Sequence, residues 1–256
     1  MNEKLKVSII TASYNSENVI KDCIVSVLEQ SYNNIEHIFV DGSSDTDTSD
    51  IINDLVPGAD LISEPDSGIY DAFNKGLSRA TGDIIFFLNS DDRLTSRDAV
   101  AFAVETIETS NVDCLFTSVT ISSPKARIVR RYEALPLSVK NLEMGLMPPH
   151  TGAFVKKTIF DQVGGFKTNF EICGDYDWFC RVAKIDGLSQ WVDKKKYTVK
   201  MASGGASSRS LRARWILHKE IVKSLRDNQL TVSQFHLLTR YIRKILDFSY
   251  MRKART

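Results

Sequence analysis

This 256-residue sequence predicts an α/β fold: a mostly parallel sheet, a smaller antiparallel element built onto it, and basic amphipathic helices at the C-terminus. Three observations carry that reading. Through the first 110 residues, short apolar runs alternate with helix-period patterns, as in strand-helix-strand units joined by right-handed crossovers. Ile84, Ile85, Phe86, Phe87 and Leu88 form an unbroken apolar run that ends abruptly in Asn89-Ser90-Asp91-Asp92. Such a run marks a strand buried on both faces, and the C-terminal ends of these strands are where open α/β sheets place ligands. After residue 112 the alternation gives way to two strand patterns joined through Ser122-Ser123-Pro124, the antiparallel element.

Taken in order, residues 6–11 (KVSIIT) read as the first strand and Ala12-Ser13-Tyr14-Asn15-Ser16 as the loop after it. Val19, Ile20, Cys23, Ile24, Val27 and Leu28 recur at helical spacing, which predicts a helix over residues 17–30. Residues 35–40 give the next strand, ending in Asp41-Gly42-Ser43-Ser44-Asp45. A helix with Ile51, Ile52 and Leu55 inward then leads through Pro57-Gly58 to a short strand over residues 59–63. Pro65 and Gly68 mark a turn, and Tyr70, Phe73 and Leu77 give the helix after it an apolar side. A further helix is predicted over residues 96–109, and antiparallel strands over 113–121 and 126–132. Met147-Pro148-Pro149 forms a constrained loop delivering His150, and a helix ends at Gly164-Gly165. Asp175 opens a helix whose buried side is Trp178, Phe179 and Val182. A last strand covers residues 197–201, and Ser203–Ser208 has the Gly/Ser-rich composition of a mobile connection.

Composition is that of an ordinary globular protein, with 43% hydrophobic and 25% charged residues. The net charge of +1 conceals a division: the chain from Ser207 onward carries +9 and the remainder −8. Two amphipathic stripes lie in that basic tail, Leu211-Trp215-Val222-Leu225 and Phe235-Leu238-Ile242-Ile245. They suit contact with an anionic membrane surface, or packing on the body or on a second subunit. No recognised nucleic-acid module or aromatic stacking platform is present. No signal peptide pattern and no apolar run of roughly 18 residues occurs, and the four cysteines lack CxxC spacing. The expectation is a cytoplasmic protein with reduced thiols, peripheral at the inner face of the membrane. The expected division is 1–206 as the body, with halves 1–110 and 111–206, and 207–256 as a helical extension.

Several polar residues invite a chemical role and admit a plainer one. Asp91 and Asp92 are adjacent carboxylates that a divalent cation would relieve, and through it a phosphorylated ligand; a polar turn is the alternative. Asp71, Asn74 and Lys75 share a helix face and equally suit a solvated ion pair. Asp175 at a helix N-terminus is favoured as an ionised carboxylate, and also as a simple cap. A lone His150 is more often a structural donor than a reactive group.

Together these stretches resemble a family-2 glycosyltransferase of the GT-A type, and within it the bacterial subset that builds O-antigen, capsule or other surface polysaccharide. The motifs are VSIITASYNSE, VDGSSD, SEPDSGIYDAFNKGLSRATGD, FLNSDD, PPHTGAF, GGF and GDYDWFCR, in the family's order from Val7 to Arg181. The resemblance implies that Thr11, Ser13, Tyr14 and Glu17 line the nucleotide base and ribose pocket, with Asp41 on the uracil. Asp92 would touch Mn²⁺ or Mg²⁺ and Asp91 the ribose or sugar, with Asn89 and Ser90 also on the donor side. Asp66, Asp71, Asn74 and Lys75 would lie near the donor sugar and diphosphate. Asp175 would be the general base, with Gly174 standing where many relatives have an acidic residue, and His150 and Asp177 would face the acceptor. The Gln-X-X-Arg-Trp signature of processive synthases is absent: Leu211-Arg212-Ala213-Arg214-Trp215 lacks the Gln.

The implied reaction is transfer of one sugar from a UDP-sugar to a hydroxyl, with inversion to a β-linkage. A polyprenyl-diphosphate-linked saccharide is the expected acceptor, and a homodimer through the tail is possible geometry for the stripes. A sugar-nucleotide pyrophosphorylase is disfavoured because the loop after the first strand has neither Gly nor Lys to hold a triphosphate. A non-catalytic nucleotide-sugar scaffold is the remaining alternative.

Overall fold

The computed structural model describes residues 4–123, 127–203, 210–233 and 237. A sheet of nine strands forms the centre, in the order β3-β2-β1-β4-β8-β6-β9-β5, with β7 paired to β6. Strands β1 (Val7–Ser13), β2 (Ile35–Asp41), β3 (Asp60–Ser63) and β4 (Ile84–Phe87) are mutually parallel where they pair. Their register aligns Ser13 with Asp41 and Asp41 with Ser63, so their C-terminal ends form one rim. The direction then reverses: β8 (Ala153–Lys156) runs antiparallel to both β4 and β6 (Cys114–Ser122). The hairpin partner β7 (Ile128–Tyr132) is antiparallel to β6, and β5 (Arg93–Leu94) is antiparallel to β9 (Gln190–Ala202).

Alternation along the central strands assigns the two faces. Ile10, Ala12, Ile85 and Phe87 point into a core shared with α3 (Ile69–Arg79), α5 (Val139–Glu143), α6 (Lys157–Val163), α7 (Gly174–Val182) and α8 (Leu211–Asp227). Val7, Ile9, Ile84, Phe86 and Leu88 point the other way, against α1 (Ile20–Leu28) and α4 (Ala99–Ser110). Phe39 carries that second face outward to Ile20 and Ile24 of α1 and Ile52 of α2 (Asp47–Leu55). Every residue of β1 and β4 is buried, which is why those runs show no polar alternation in sequence.

Some boundaries differ from the sequence reading. The first helix begins three residues late, because Val19 and Ile20 donate their backbone N–H groups to Ser16 O across a turn. The last strand is much longer than residues 197–201: β9 runs parallel to β6 through Lys194-Lys195-Lys196. The register shifts around Thr117 and Ser118, and the Asp193 carboxylate accepts from the N–H groups of Lys195 and Lys196 at 2.8 and 2.9 Å. The side chain thus replaces ladder partners where the polar triplet would otherwise interrupt the strand.

α8 is not a free extension. Ser210 caps it by accepting from Ala213 N at 3.1 Å, and Ile221, Val222 and Leu225 are buried in the core against α7. Val222 and Leu225 of the first amphipathic stripe therefore pack on the body, whereas Trp215 of the same stripe is exposed. The second stripe and residues 204–209 lie outside the described residues. Cys23, Cys114, Cys173 and Cys180 are buried free thiols, and among the described residues no helix is long and apolar enough to cross a membrane.

Candidate active site

At the rim of β1 and β2, the Ser13 and Ser43 hydroxyls both donate to Asp41 Oδ1, at 2.9 and 2.8 Å. Asp41 is fully buried, and its Oδ2 has no hydrogen-bond partner among the described residues. A buried carboxylate oxygen left unpaired costs free energy, so this atom marks a place for a donor from outside the chain. Ser43 also accepts from Asn15 N at 2.8 Å, and Ser16 and Ser90 share a hydroxyl bond of 2.9 Å. The loops after β1, β2 and β4 are thereby tied into one pocket wall. Tyr14 stands out from it, 67% exposed, and Glu17 accepts from its neighbour Asn18. Thr11 sits deeper, its hydroxyl 2.9 Å from His37 Nε2 and 3.8 Å from Cys23 Sγ beneath α1.

After β4, the chain turns so that Asp92 is buried while Asp91 is exposed. Asp92 Oδ2 accepts from Asn89 Nδ2 at 3.0 Å and Oδ1 from Ala202 N at 3.1 Å, which ties the end of β9 to this turn. Burial, then the neighbouring Asp91 charge, push the Asp92 carboxyl up to about 8 against those two bonds. A buried carboxylate beside a like charge is the arrangement a cation relieves, so the pair fits a divalent metal. Among the described residues no three His, Cys, Asp or Glu side chains converge, so a metal here would complete its shell with ligand oxygens.

The loop leading into α3 is braced by its own polar residues. Asp66 Oδ1 accepts from Gly68 N at 2.8 Å and its carboxylate packs on Gly42, where an added Cβ would lie 2.1 Å from Oδ2. Asp71 accepts from Ser67 N at 3.0 Å. Lys75 pairs with Glu64 at 2.9 Å and donates to Pro65 O at 2.8 Å. Lys75, one of the four residues expected near the donor sugar and diphosphate, is engaged in holding the loop. Asn74, another of the four, bonds the backbone of Phe166, donating to O at 2.7 Å and accepting from N at 2.8 Å.

Asp175 lies in the first turn of α7. Its Oδ1 accepts from Tyr176 N at 2.8 Å and contacts the Tyr70 hydroxyl at 3.3 Å. The residue is partly exposed, yet the carboxyl group itself is desolvated, and this raises it to about 6 from an ordinary 3.8. Gly174 explains how Tyr70 comes so close: a Cβ there would lie 2.7–2.8 Å from three atoms of the Tyr70 ring. Tyr70 therefore occupies space that a side chain at position 174 would need. The glycine noted in the sequence is the room for a ring contributed from α3, a pairing that no local pattern reveals.

Of the two residues assigned to the acceptor side, Asp177 lies in the interior and His150 is half-buried in an aromatic cluster. Asp177 is fully buried and its oxygens are taken: Lys167, Ser224 and Asn228 donate to Oδ1 and Arg181 to Oδ2. It faces away from solvent because the α7 face three residues on from Gly174 packs on α8, so it joins the interior and not the acceptor. His150 lies among Phe73, Phe87, Phe166 and Phe179 with Nε2 buried and unpaired among the described residues. Burial lowers its imidazole to about 4, which leaves it neutral in the aromatic core. The sequence reading missed Tyr70, and it missed Glu220 on α8, whose carboxylate takes three N–H groups just before α7. A cleft of about 400 Å³ opens beside these two, lined also by Ser67, Ile69, Thr168 and Asn169. A larger hollow of about 600 Å³ follows α8 alone, between His218 and Asp227, and includes none of the rim carboxylates.

Comparison with known proteins agrees with this architecture. An uncharacterized glycosyltransferase of Mycobacterium tuberculosis is 34% identical over 185 residues, covering 70% of this chain and 69% of the relative. The crystal structure of S. aureus TarS 1-349 in complex with UDP-GlcNAc superposes with a TM-score of 0.66 at 18% identity, over 91% of this chain and 69% of that one. A mannosyltransferase from Pyrobaculum calidifontis in complex with GDP-Man and Mn²⁺ gives 0.65 at 20% identity, over 90% and 67%. At these identities the two structures establish the shared GT-A fold. Residues 8–175, which span the rim from β1 to Asp175, match the Glycosyl transferase family 2 domain, and the chain belongs to that family of glycosyltransferases.

Proposed function

We propose that this protein transfers one sugar from a UDP-sugar to a hydroxyl of a saccharide acceptor, inverting the anomeric centre. The observation that carries the reading is Asp175, a carboxyl group raised to about 6 at the start of α7, basic enough to take a proton and ionised near neutral pH. In the reaction the acceptor oxygen bonds to the anomeric carbon as the bond from that carbon to the diphosphate oxygen breaks. The hydroxyl proton passes to Asp175, and the electron pair of the broken bond leaves with UDP. Attack opposite the leaving group turns an α-linked donor into a β-glycoside.

Asp41 is the group proposed to select the nucleotide, because an imide N–H of uracil can donate to its unpaired Oδ2. Ser13 and Ser43 hold the other oxygen and so fix the direction of that acceptor. Asp91 and Asp92 would hold Mn²⁺ or Mg²⁺, which when bound supplies positive charge to the departing diphosphate. The cleft beside Tyr70, with hydroxyl and amide groups around Ile69, supports a saccharide as the acceptor. The resemblance to surface-polysaccharide enzymes supports a polyprenyl-diphosphate carrier for that saccharide. The exposed basic residues Arg212, Arg214 and Lys219, beside an exposed Trp215, support docking of α8 at an anionic membrane surface.

A thermal-shift screen of UDP, GDP, CMP and dTDP, each with and without Mn²⁺, tests the donor side. Metal-dependent stabilisation by UDP alone is expected. Stabilisation by GDP in its place would reassign the Asp41 pocket. In Asp175→Asn the UDP shift should persist while transfer to a lipid-linked acceptor falls by about 10²–10⁴-fold. UDP binding with no transfer by the wild-type protein to any lipid-linked acceptor would favour the non-catalytic scaffold.

A further inference from the structure

We propose that Glu220, on α8, is a positioning residue for Asp175, acting through the backbone of residues 171–173 and the hydroxyl of Tyr70. The inference rests on the reading of Asp175 as the base. α7 has no side-chain cap of its own at Cys173. Glu220 supplies one from 47 to 49 residues away: Oε1 accepts from Glu171 N at 2.6 Å, and Oε2 from Ile172 N at 2.8 Å and Cys173 N at 2.9 Å. A carboxylate on three consecutive N–H groups at the positive end of a helix fixes those peptide planes strongly.

The orientation of one of those peptides matters to the base. Ile172 O accepts from the Tyr70 hydroxyl at 2.6 Å, whereas Asp175 Oδ1 lies 3.3 Å from the same hydroxyl. Tyr70 has one proton to give, and the shorter contact takes it. Glu220 thus holds the Ile172 carbonyl where it draws the Tyr70 proton away from Asp175. Asp175 keeps the short hydrogen bond from Tyr176 N–H and gains less from Tyr70, so its negative charge is less stabilised and it remains the stronger base. Gly174 completes the device by letting the Tyr70 ring lie against the backbone. Among the described residues, the ionisable groups that face Asp175 are Tyr70 from α3, Tyr132 from β7 with Arg130 beside it, and Glu220 from α8. Of these Glu220 carries the negative charge that acts in the same direction, raising Asp175.

The test reads the Asp175 carboxyl directly, by ¹³C NMR titration of the full chain with the resonance identified through Asp175→Asn. In Glu220→Gln the midpoint is expected to move to lower pH by about half a unit, because a charge is lost and the Tyr70 proton is released towards Asp175. Tyr70→Phe is expected to move it by much less, since in the wild type the Tyr70 proton is held by Ile172 O. In Glu220→Gln/Tyr70→Phe the effect of the glutamine should shrink, the signature of action through a shared partner. Glu220→Asp should restore part of the wild-type midpoint. A midpoint unchanged in folded Glu220→Gln, or a shift that is undiminished in the double variant, would overturn the proposal and leave Glu220 as a helix cap. Because the titration needs no donor or acceptor, loss of the transferase reading would show separately, as absence of sugar transfer.

Discussion

At Asp175 the chemistry and the stability of the fold pull in opposite directions. Its folded-state pKa of about 6 lies above the ordinary 3.8, so burial disfavours the ionised form. For a carboxyl group raised in this way, the stabilising contribution is full below the ordinary value and is lost as pH rises through about 6. Asp175→Asn should accordingly melt higher than the wild type at pH 7.5, an advantage that fades as pH is lowered toward 4; calorimetry across that range measures it. Transfer by the wild type should show the mirror image, rising with pH through about 6 as the base ionises. Gly174 is the other residue whose identity is dictated sterically. Gly174→Ala places a methyl group 2.7 Å from the Tyr70 ring, and the expected cost is about 1–3 kcal/mol by urea denaturation, with transfer reduced as Asp175 shifts.

Among the elements, α7 is the one on which the rest converge. Its N-terminal turn is held by Glu220 and by Tyr70 of α3. One turn further, Asp177 ties it to Lys167, to Arg181 of the same helix, and to Ser224 and Asn228 at the far end of α8. Arg181 in turn donates to Val163 O and Gly165 O, and Trp178 Nε1 donates to Gly164 O at 3.0 Å, so the glycine pair after α6 is clamped from the α7 side. Asn74 closes the circuit from α3 through Phe166. Removing one partner of such a buried set leaves opposite charges and amides unpaired. Asp177→Ala is expected to cost about 3–5 kcal/mol in chemical denaturation, far more than a surface ion pair such as Arg79–Asp60 would.

For the whole molecule, the placement of α8 decides how much chain the catalytic body needs. Ile221, Val222 and Leu225 share a core with Trp178 and Phe179, and Glu220 caps the helix that carries Asp175. A chain ending at residue 206 would expose that apolar surface and uncap α7. It is expected to be insoluble, or to lose the cooperative thermal transition of the full chain. A truncated protein that melts as cooperatively as the full chain would show the body to be independent of α8. Arg212, Arg214 and Lys219 of α8 lie on the surface that remains.

What the sequence by itself determined was the periodic part. The apolar-rich strand at residues 6–11 and the unbroken apolar run at 84–88, set between helix-period stretches, dictate a parallel sheet, and a parallel sheet brings its strand ends to one rim. Asp91, Asp92 and Asp175 could be singled out because each stands where an apolar run ends or a helix opens, a local property, whereas Asp41 is singled out by the family resemblance. Which polar side chains still face the rim was decided only by tertiary structure. Asn74, Lys75 and Asp177 carry the same residue types as a binding site, and tertiary structure gives each structural partners as well: Phe166, then Pro65 and Glu64, then Lys167 and Asn228. Tyr70 and Glu220 gain their roles from residues about 100 and 50 positions away. A hydrogen bond satisfies a buried polar group wherever its partner lies along the chain, so a local pattern locates the group but not the atom that answers it.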